Sequence, residues 1–432
     1  MTRNLPAGGP PPASTAALAS SKRAQRAPRA GSRQVRPRQG PQQAQSQQAQ
    51  SQQAQSEQAQ PQQPWPFRAP RAGGAPDASS PPLRVRIGSP ASLLAVVPGL
   101  LGFEPGNSIV VVGTESPGHA VRVTLRYDVP DPGRPATAAA LAGHAVSVLA
   151  AQGVTTAVAV GYGSEAAVSP VAAALRERAG DAGVTLTEVL RAEGQRYWSY
   201  VCANPACCPP EGTPYDVTAH PAARALAAAG GQVLAGRDEL SASLAPAGGQ
   251  LGAVMRRATS KAHAQVARCV ARLDREGLQV TAARLTGTLG QVAVRDAIRR
   301  YRDGAEVGPE DAAWLTVALR QLRVRDDAWA RMEPQHRSAH LRLWTDLTRL
   351  ARPGYVAAPA ALLAFVAWQS GDGALANVAL DRALADNPRY SMALLLREAL
   401  DSGAPPALAR LPMTPEEVAA AYDAAEDAVK AR

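Results

Sequence analysis

Three of the four cysteines in this 432-residue chain, Cys202, Cys207 and Cys208, fall within seven positions. They lie in Tyr197-Trp198-Ser199-Tyr200-Val201-Cys202-Ala203-Asn204-Pro205-Ala206-Cys207-Cys208-Pro209-Pro210-Glu211-Gly212. Thiolates are soft ligands and good nucleophiles, so such a cluster suits few chemistries. With His220 twelve residues beyond Cys208, the group supplies enough soft donors for a tetrahedral zinc site. The spacing is not the usual pair of cysteines separated by two residues, and vicinal cysteines seldom ligate one ion together. A reversible Cys202–Cys207 disulfide or a reactive thiol is a second chemistry for the same residues. A structural loop is the third: Tyr197, Trp198 and Tyr200 pack half-buried on a sheet and small thiols fill a proline-rich turn. All three readings stand open at this level. Cys269, in the helical stretch Val266 to Leu273, reads as a core thiol.

Two weaker constellations accompany the loop. Gly161-Tyr162-Gly163-Ser164-Glu165-Ala166 fits the loosest dinucleotide fingerprint, with Glu188 about twenty residues on. The helix that would have to receive a phosphate reads as starting later, at Ser169-Pro170, which favours an ordinary strand-to-helix loop. The histidines are scattered: His119 in a turn, His144 in a helix, and His336 and His340 spaced i, i+4 on a polar, arginine-rich helix. Without a carboxylate in register, that pair reads as solvated helix histidines rather than a metal site. No serine sits in a nucleophile-elbow pattern, and no catalytic set assembles from sequence alone.

The elements that must position these residues follow from periodicity. Leu83-Arg84-Val85-Arg86-Ile87 alternates as a half-buried strand does. Ser89-Pro90 caps and opens a short helix through Val97. Ile109-Val110-Val111-Val112 has the continuous apolar pattern of a strand covered on both faces, and Val121 to Tyr127 alternates as a strand nearer an edge. A turn at Ser116-Pro117-Gly118 makes the two a hairpin. A helix from Thr137 to Gln152 stops at Gly153, Val154 to Val160 is again a covered strand, and Val184 to Leu190 returns as a strand after the next helix. Beyond Pro221 the chain is almost wholly helical. Gly308-Pro309-Glu310-Asp311 starts one helix, with Leu315, Leu319 and Leu322 on one face, and Thr414-Pro415-Glu416-Glu417 is a capping box for the last. The expected architecture is α/β, a mixed sheet with packed helices over about 83–245, followed by an all-α region over about 248–432, with the seam at Gly248-Gly249.

Charge and low complexity delimit the N-terminal part. Residues 1–80 hold ten Lys and Arg against Glu57 and Asp77, a net of +8, whereas the remainder holds 36 basic and 34 acidic residues. From Gln43 to Gln60 a pentapeptide recurs with almost no apolar surface, too little to offset backbone entropy of about 1–2 kcal/mol per residue. Residues 1–80 therefore read as a disordered basic tail, and nucleic-acid contact, if any, as weak and tail-mediated. No apolar run is long enough to span a bilayer, and Met1-Thr2-Arg3-Asn4 opens no signal-peptide pattern, so the expected location is cytoplasmic and the cysteines are not presumed paired.

The block Pro98-Gly99-Leu100-Leu101-Gly102-Phe103-Glu104-Pro105-Gly106-Asn107-Ser108, the segment Arg126-Tyr127-Asp128-Val129-Pro130, the Trp198 and Cys207-Cys208-Pro209 loop with Glu211-Gly212, and Gly371-Asp372-Gly373-Ala374-Leu375-Ala376-Asn377 together carry a resemblance. They resemble the actinobacterial family "domain of unknown function 4192" over roughly Leu83 to Pro406. The resemblance implies a shared scaffold and brings no catalytic residues. Within it, residues 361–388 resemble one tetratricopeptide-like hairpin; a single copy makes no groove, since stacked repeats are needed to bury a continuous core. The leading functional expectation is a non-catalytic binding or regulatory module with an unknown protein partner. The alternative is a metal- or thiol-dependent enzyme centred on Cys202, Cys207 and Cys208, with zinc as the candidate cofactor.

Overall fold

Hydrophobic pattern and capping chemistry determine where the first elements of the computed structural model begin; residues 87–115, 120–228, 233–408 and 413–430 are described. The expected strand from Leu83 falls almost wholly outside these residues, as do the tail, the turn at Ser116 to Gly118 and His119. Helix α1 (Pro90–Leu101) starts where expected: the Ser89 hydroxyl accepts from the Ser92 N–H and the Ser92 side chain answers in a capping box. It does not stop at Val97. Pro98 sits inside it and the helix runs on to a left-handed Gly102, because Leu101 and Phe103 beyond it are buried in the core and their burial offsets the hydrogen bond lost at proline.

Strands β1 (Ser108–Thr114) and β2 (Val121–Asp128) form the expected antiparallel hairpin. Helix α2 (Pro135–Ala151), β3 (Thr156–Tyr162), α3 (Glu165–Asp181), β4 (Thr185–Glu193), β5 (Arg196–Ser199) and the two-residue β6 (Thr213–Pro214) complete a six-stranded mixed sheet in the order β2-β1-β3-β4-β5-β6. Only β3 and β4 pair in parallel, with α3 as their crossover. Ile109 and Val111 of β1 pack with Ala142, Leu149 and Leu175 of α2 and α3. Val110 and Val112 pack with Leu93, Leu94 and Val97 of α1 on the other face. Burial on both faces accounts for the uninterrupted apolar run, while β2, at the sheet edge, stays largely half-exposed.

Helix α3 corrects the expected start at Ser169. It opens at Glu165 with Ser164 at the cap, and Pro170 lies within it. Tight packing explains the early start: a Cβ on Gly161 would stand 2.2 Å from Val168 Cγ1, so the glycine lets the first turn of the helix lie against β3.

The remaining elements are helical: α4 (Pro221–Ala228), α5 (Arg237–Ser243), α6 (Gly249–Arg275), α7 (Ala282–Arg302), α8 (Pro309–Ala318), α9 (Leu322–Ala330), α10 (Arg337–Leu350), α11 (Ala357–Gln369), α12 (Gly373–Asp386), α13 (Ser391–Asp401) and α14 (Pro415–Lys430). Their core is built around α11, in which every residue from Ala357 to Trp368 is buried. The expected leucine face is shorter than the spacing suggests. Leu315 and Leu319 are buried, but α8 has ended before Leu322, which opens α9 and is 53% exposed. Thr414 and Glu417 form the expected capping box of α14. Among the described residues no helix is long and apolar enough to cross a membrane.

Candidate functional site: the thiol loop at the sheet edge

The loop after β5 is fixed at its start, middle and end by hydrogen bonds to its backbone. At the start, the Ser199 hydroxyl donates to Glu188 Oε1 at 2.7 Å and accepts from the N–H groups of Val201 and Cys202 at 3.2 and 3.0 Å. In the middle, the Asn204 carbonyl accepts from Cys207 and Cys208 N–H at 3.1 and 2.8 Å, and its side-chain oxygen accepts from Ala206 N–H at 3.0 Å. At the end, Trp198 Nε1 donates to the Pro210 carbonyl at 2.9 Å and Arg196 donates to the Gly212 carbonyl at 2.6 Å. Gly212 has φ of +83°, and a Cβ there would meet the Trp198 ring at 2.6 Å. Glycine is required both by the left-handed backbone and by the indole.

Trp198 itself rests on Arg191. The guanidinium lies 3.7 Å from the indole centroid, is nearly buried, and pairs with Glu193 at 2.6 Å and Glu165 at 3.8 Å. A stacked, ion-paired arginine anchors the indole to β4 and so ties the loop to the centre of the sheet. The sequence signal lies in Val189-Leu190-Arg191-Ala192, an arginine inside an apolar strand, but Trp198 and Glu165 reach it from other elements.

The outcome is convergence of the three thiols. The sulfurs of Cys202, Cys207 and Cys208 all lie within 4.8 Å of one another, with Cys207 exposed and the other two half-exposed. Hydrogen bonding from the Asn204 backbone N–H, and then from the Cys208 thiol, lowers the Cys202 pKa. The Cys208 thiol, as donor to Cys202, is pushed up to about 12. Of these two thiols Cys202 gives up its proton before Cys208. His220 is not part of this group. Its Nδ1 accepts from the Ala222 N–H at 3.1 Å at the start of α4.

The other sequence candidates lie elsewhere. Cys269 is half-exposed on α6 rather than in the core, because that end of the helix carries few packing neighbours and only Met255, Ala258, Thr259, Ala262 and Val266 are buried along it. His144 stands 2.8 Å from Tyr127 Oη and 2.9 Å from the Asp401 carbonyl. His336 lies 3.5 Å from Glu333. His340, expected in solvent, is 1% exposed and stacks on Trp344 at a centroid distance of 6.4 Å. Its helix turns its apolar stripe, and this histidine with it, into the helical core. Glu188 serves Ser199, so the loose dinucleotide fingerprint lacks its acidic member.

No curated protein and no solved structure matches the chain at a significant level. A family model does: the one described as "Domain of unknown function (DUF4192)" matches residues 90–407. That span takes in the sheet, the thiol loop and the helical core together, and the chain belongs to this family.

Proposed function

We propose that this chain is a non-catalytic binding or regulatory module whose Cys202, Cys207 and Cys208 hold a thiophilic metal ion, zinc foremost. The observation that carries the reading is the approach of three sulfurs to within 4.8 Å of one another. Three thiolates at about 2.3 Å from a tetrahedral zinc stand about 3.8 Å apart, so small side-chain movements suffice. Capture of an ion would be linked to loss of thiol protons, and the lowered Cys202 gives the first. The fourth position would go to an exogenous ligand, or to His220 after a rearrangement of the segment that follows β6. In this reading residues 83–245 present the site and the helical residues 248–432 support it, with α11 and α12 in the place of the tetratricopeptide-like hairpin.

The test is metal content per chain on protein purified without a metal-affinity step, with thiols counted before and after unfolding. About one zinc per chain, lost in Cys207→Ser and Cys208→Ser, supports the reading. Metal-free protein that yields four titratable thiols and takes up no added zinc overturns it. A second reading, a thiol-dependent enzyme, is favoured by the hydrogen bonds that converge on the Cys202 sulfur from the Asn204 N–H and the Cys208 thiol and lower its pKa. It predicts that Cys202→Ser abolishes an activity that Cys207→Ser leaves in place.

A further inference from the structure

Formal charge is very unevenly distributed within the folded chain. Residues 249–302, which comprise α6, α7 and the turn between them, hold 11 basic and three acidic residues, a net of +8. All other residues beyond position 80 hold 25 basic against 31 acidic residues. The near-neutral sum read from sequence therefore conceals one strongly basic element in an acidic surround.

Helix α6 arranges its share of this charge along one line. Its buried face is Met255, Ala258, Thr259, Ala262 and Val266. At 3.6 residues per turn, Arg257, Lys261, Arg268, Arg272 and Arg275 fall on the opposite face within an arc of about 60°, over a length of about 27 Å. All five are exposed. Lys261 reaches Glu310 at 2.7 Å and Arg272 reaches Glu276 at 2.8 Å, both as exposed pairs of the kind that contribute little. Arg257, Arg268 and Arg275 meet no carboxylate at salt-bridge distance among the described residues.

We propose that the outward face of α6 docks the phosphodiester backbone of a nucleic acid. Charge complementarity selects a polyanion, and among the described residues Glu310 and Glu276 alone answer the five cations at salt-bridge distance. Residues 1–80 carry +8, a charge of the same sign as this face. The acidic helix α14 is already held on α9 through Tyr422 to Asp326 at 2.6 Å and Arg323 to Asp423 at 2.7 Å. Between the basic residues the stripe contains Ser260, Ala264, Gln265 and Ala271, which let a backbone approach and offer nothing to insert into a bilayer. The exposed Leu289 and Val292 lie on α7, outside the stripe.

The experiment is fluorescence anisotropy of the full-length chain with a labelled 20-base-pair DNA duplex and a labelled 20-nucleotide single-stranded RNA across a salt series. Five engaged cations on α6 predict a contribution of about −4 to −5 to the slope of log affinity against log salt on the duplex. The variant Arg257→Gln/Arg268→Gln/Arg275→Gln should lower that slope by about three and weaken binding roughly tenfold or more. Replacing the same three arginines by lysine should keep the slope, which separates charge from misfolding. A second variant with Arg23, Arg26, Arg29, Arg33, Arg36 and Arg38 changed to Gln removes tail charge alone and should retain the part that depends on α6. Unchanged binding in the helix variant, loss confined to the tail variant, or binding to phosphatidylglycerol vesicles with none to either nucleic acid would each overturn the proposal.

Discussion

Acidifying the protein from pH 7 to pH 4 should destabilise it through His340. The ring is 1% exposed and stacked on Trp344. Neither nitrogen makes a well-formed hydrogen bond; the Arg331 backbone acceptor lends only a weak upward pull. Burial, reinforced by the positive charge of His336 and Arg302, lowers its pKa from 6.5 to about 4. The unfolded chain binds this proton below pH 6.5 and the folded chain only near pH 4. Between the two, unfolding is coupled to proton uptake and stability falls as pH falls. A shift of that size corresponds to about 3 kcal/mol lost across the window, at about 1.4 kcal/mol per pH unit. Carboxylates titrate in the same range, so the measurement is a difference. Urea unfolding followed by far-ultraviolet circular dichroism at pH 7, 6, 5 and 4 is compared between the parent and His340→Phe, which keeps a flat ring on Trp344 and cannot titrate. The parent should lose about 3 kcal/mol more than the variant between pH 7 and pH 4. Parallel curves would refute the reasoning.

Four further outcomes follow from the packing. Gly212→Ala places a Cβ 2.6 Å from the Trp198 ring at a left-handed backbone position, and should cost about 1–3 kcal/mol with a changed near-ultraviolet tryptophan signal. Gly161→Ala brings a Cβ to 2.2 Å from Val168 Cγ1; a loss of about 1–3 kcal/mol is expected in thermal unfolding, with partial recovery in the Gly161→Ala/Val168→Ala double variant. Asp386 accepts from the N–H groups of Gly354, Val356 and Ala357 before and at the start of α11, so Asp386→Ala should lower stability by about 2 kcal/mol, with part retained in Asp386→Asn. Iodoacetamide in limited amount, read by peptide mass spectrometry, should modify Cys202 before Cys208, because the first thiol is lowered and the second is pushed up to about 12; the reverse order would contradict the hydrogen-bond arrangement of the loop.

What the sequence shows and what it hides divide along the range of the interactions. The caps at Ser89 and Thr414 and the Pro309 start with its acidic first turn are local, and each begins a helix where its residue type favours one. The covered run Ile109 to Val112 announces two buried faces because burial of every residue leaves no polar alternation. Misreadings occur where packing overrides local preference: Pro98 stays inside α1, α3 starts before Pro170, and His340 turns inward. Convergence of the three sulfurs could be suspected from their spacing, but the exclusion of His220 depends on where α4 begins. The Arg191 and Trp198 stack joins two strands, and the stripe on α6 becomes visible only once its buried face is known.

A helix buried on every side also orders events in time. From Ala357 to Trp368 helix α11 has no surface to show to water, and part of its cover lies downstream: α12, α13 and the Ala404 carbonyl that accepts from Trp368 Nε1 at 3.2 Å. At a synthesis rate of about 5–20 residues per second, the nascent chain must carry this apolar rod incompletely covered for about 2–7 s. During that interval the segment is open to self-association. Termination anywhere before residue 404 leaves it in that state for good.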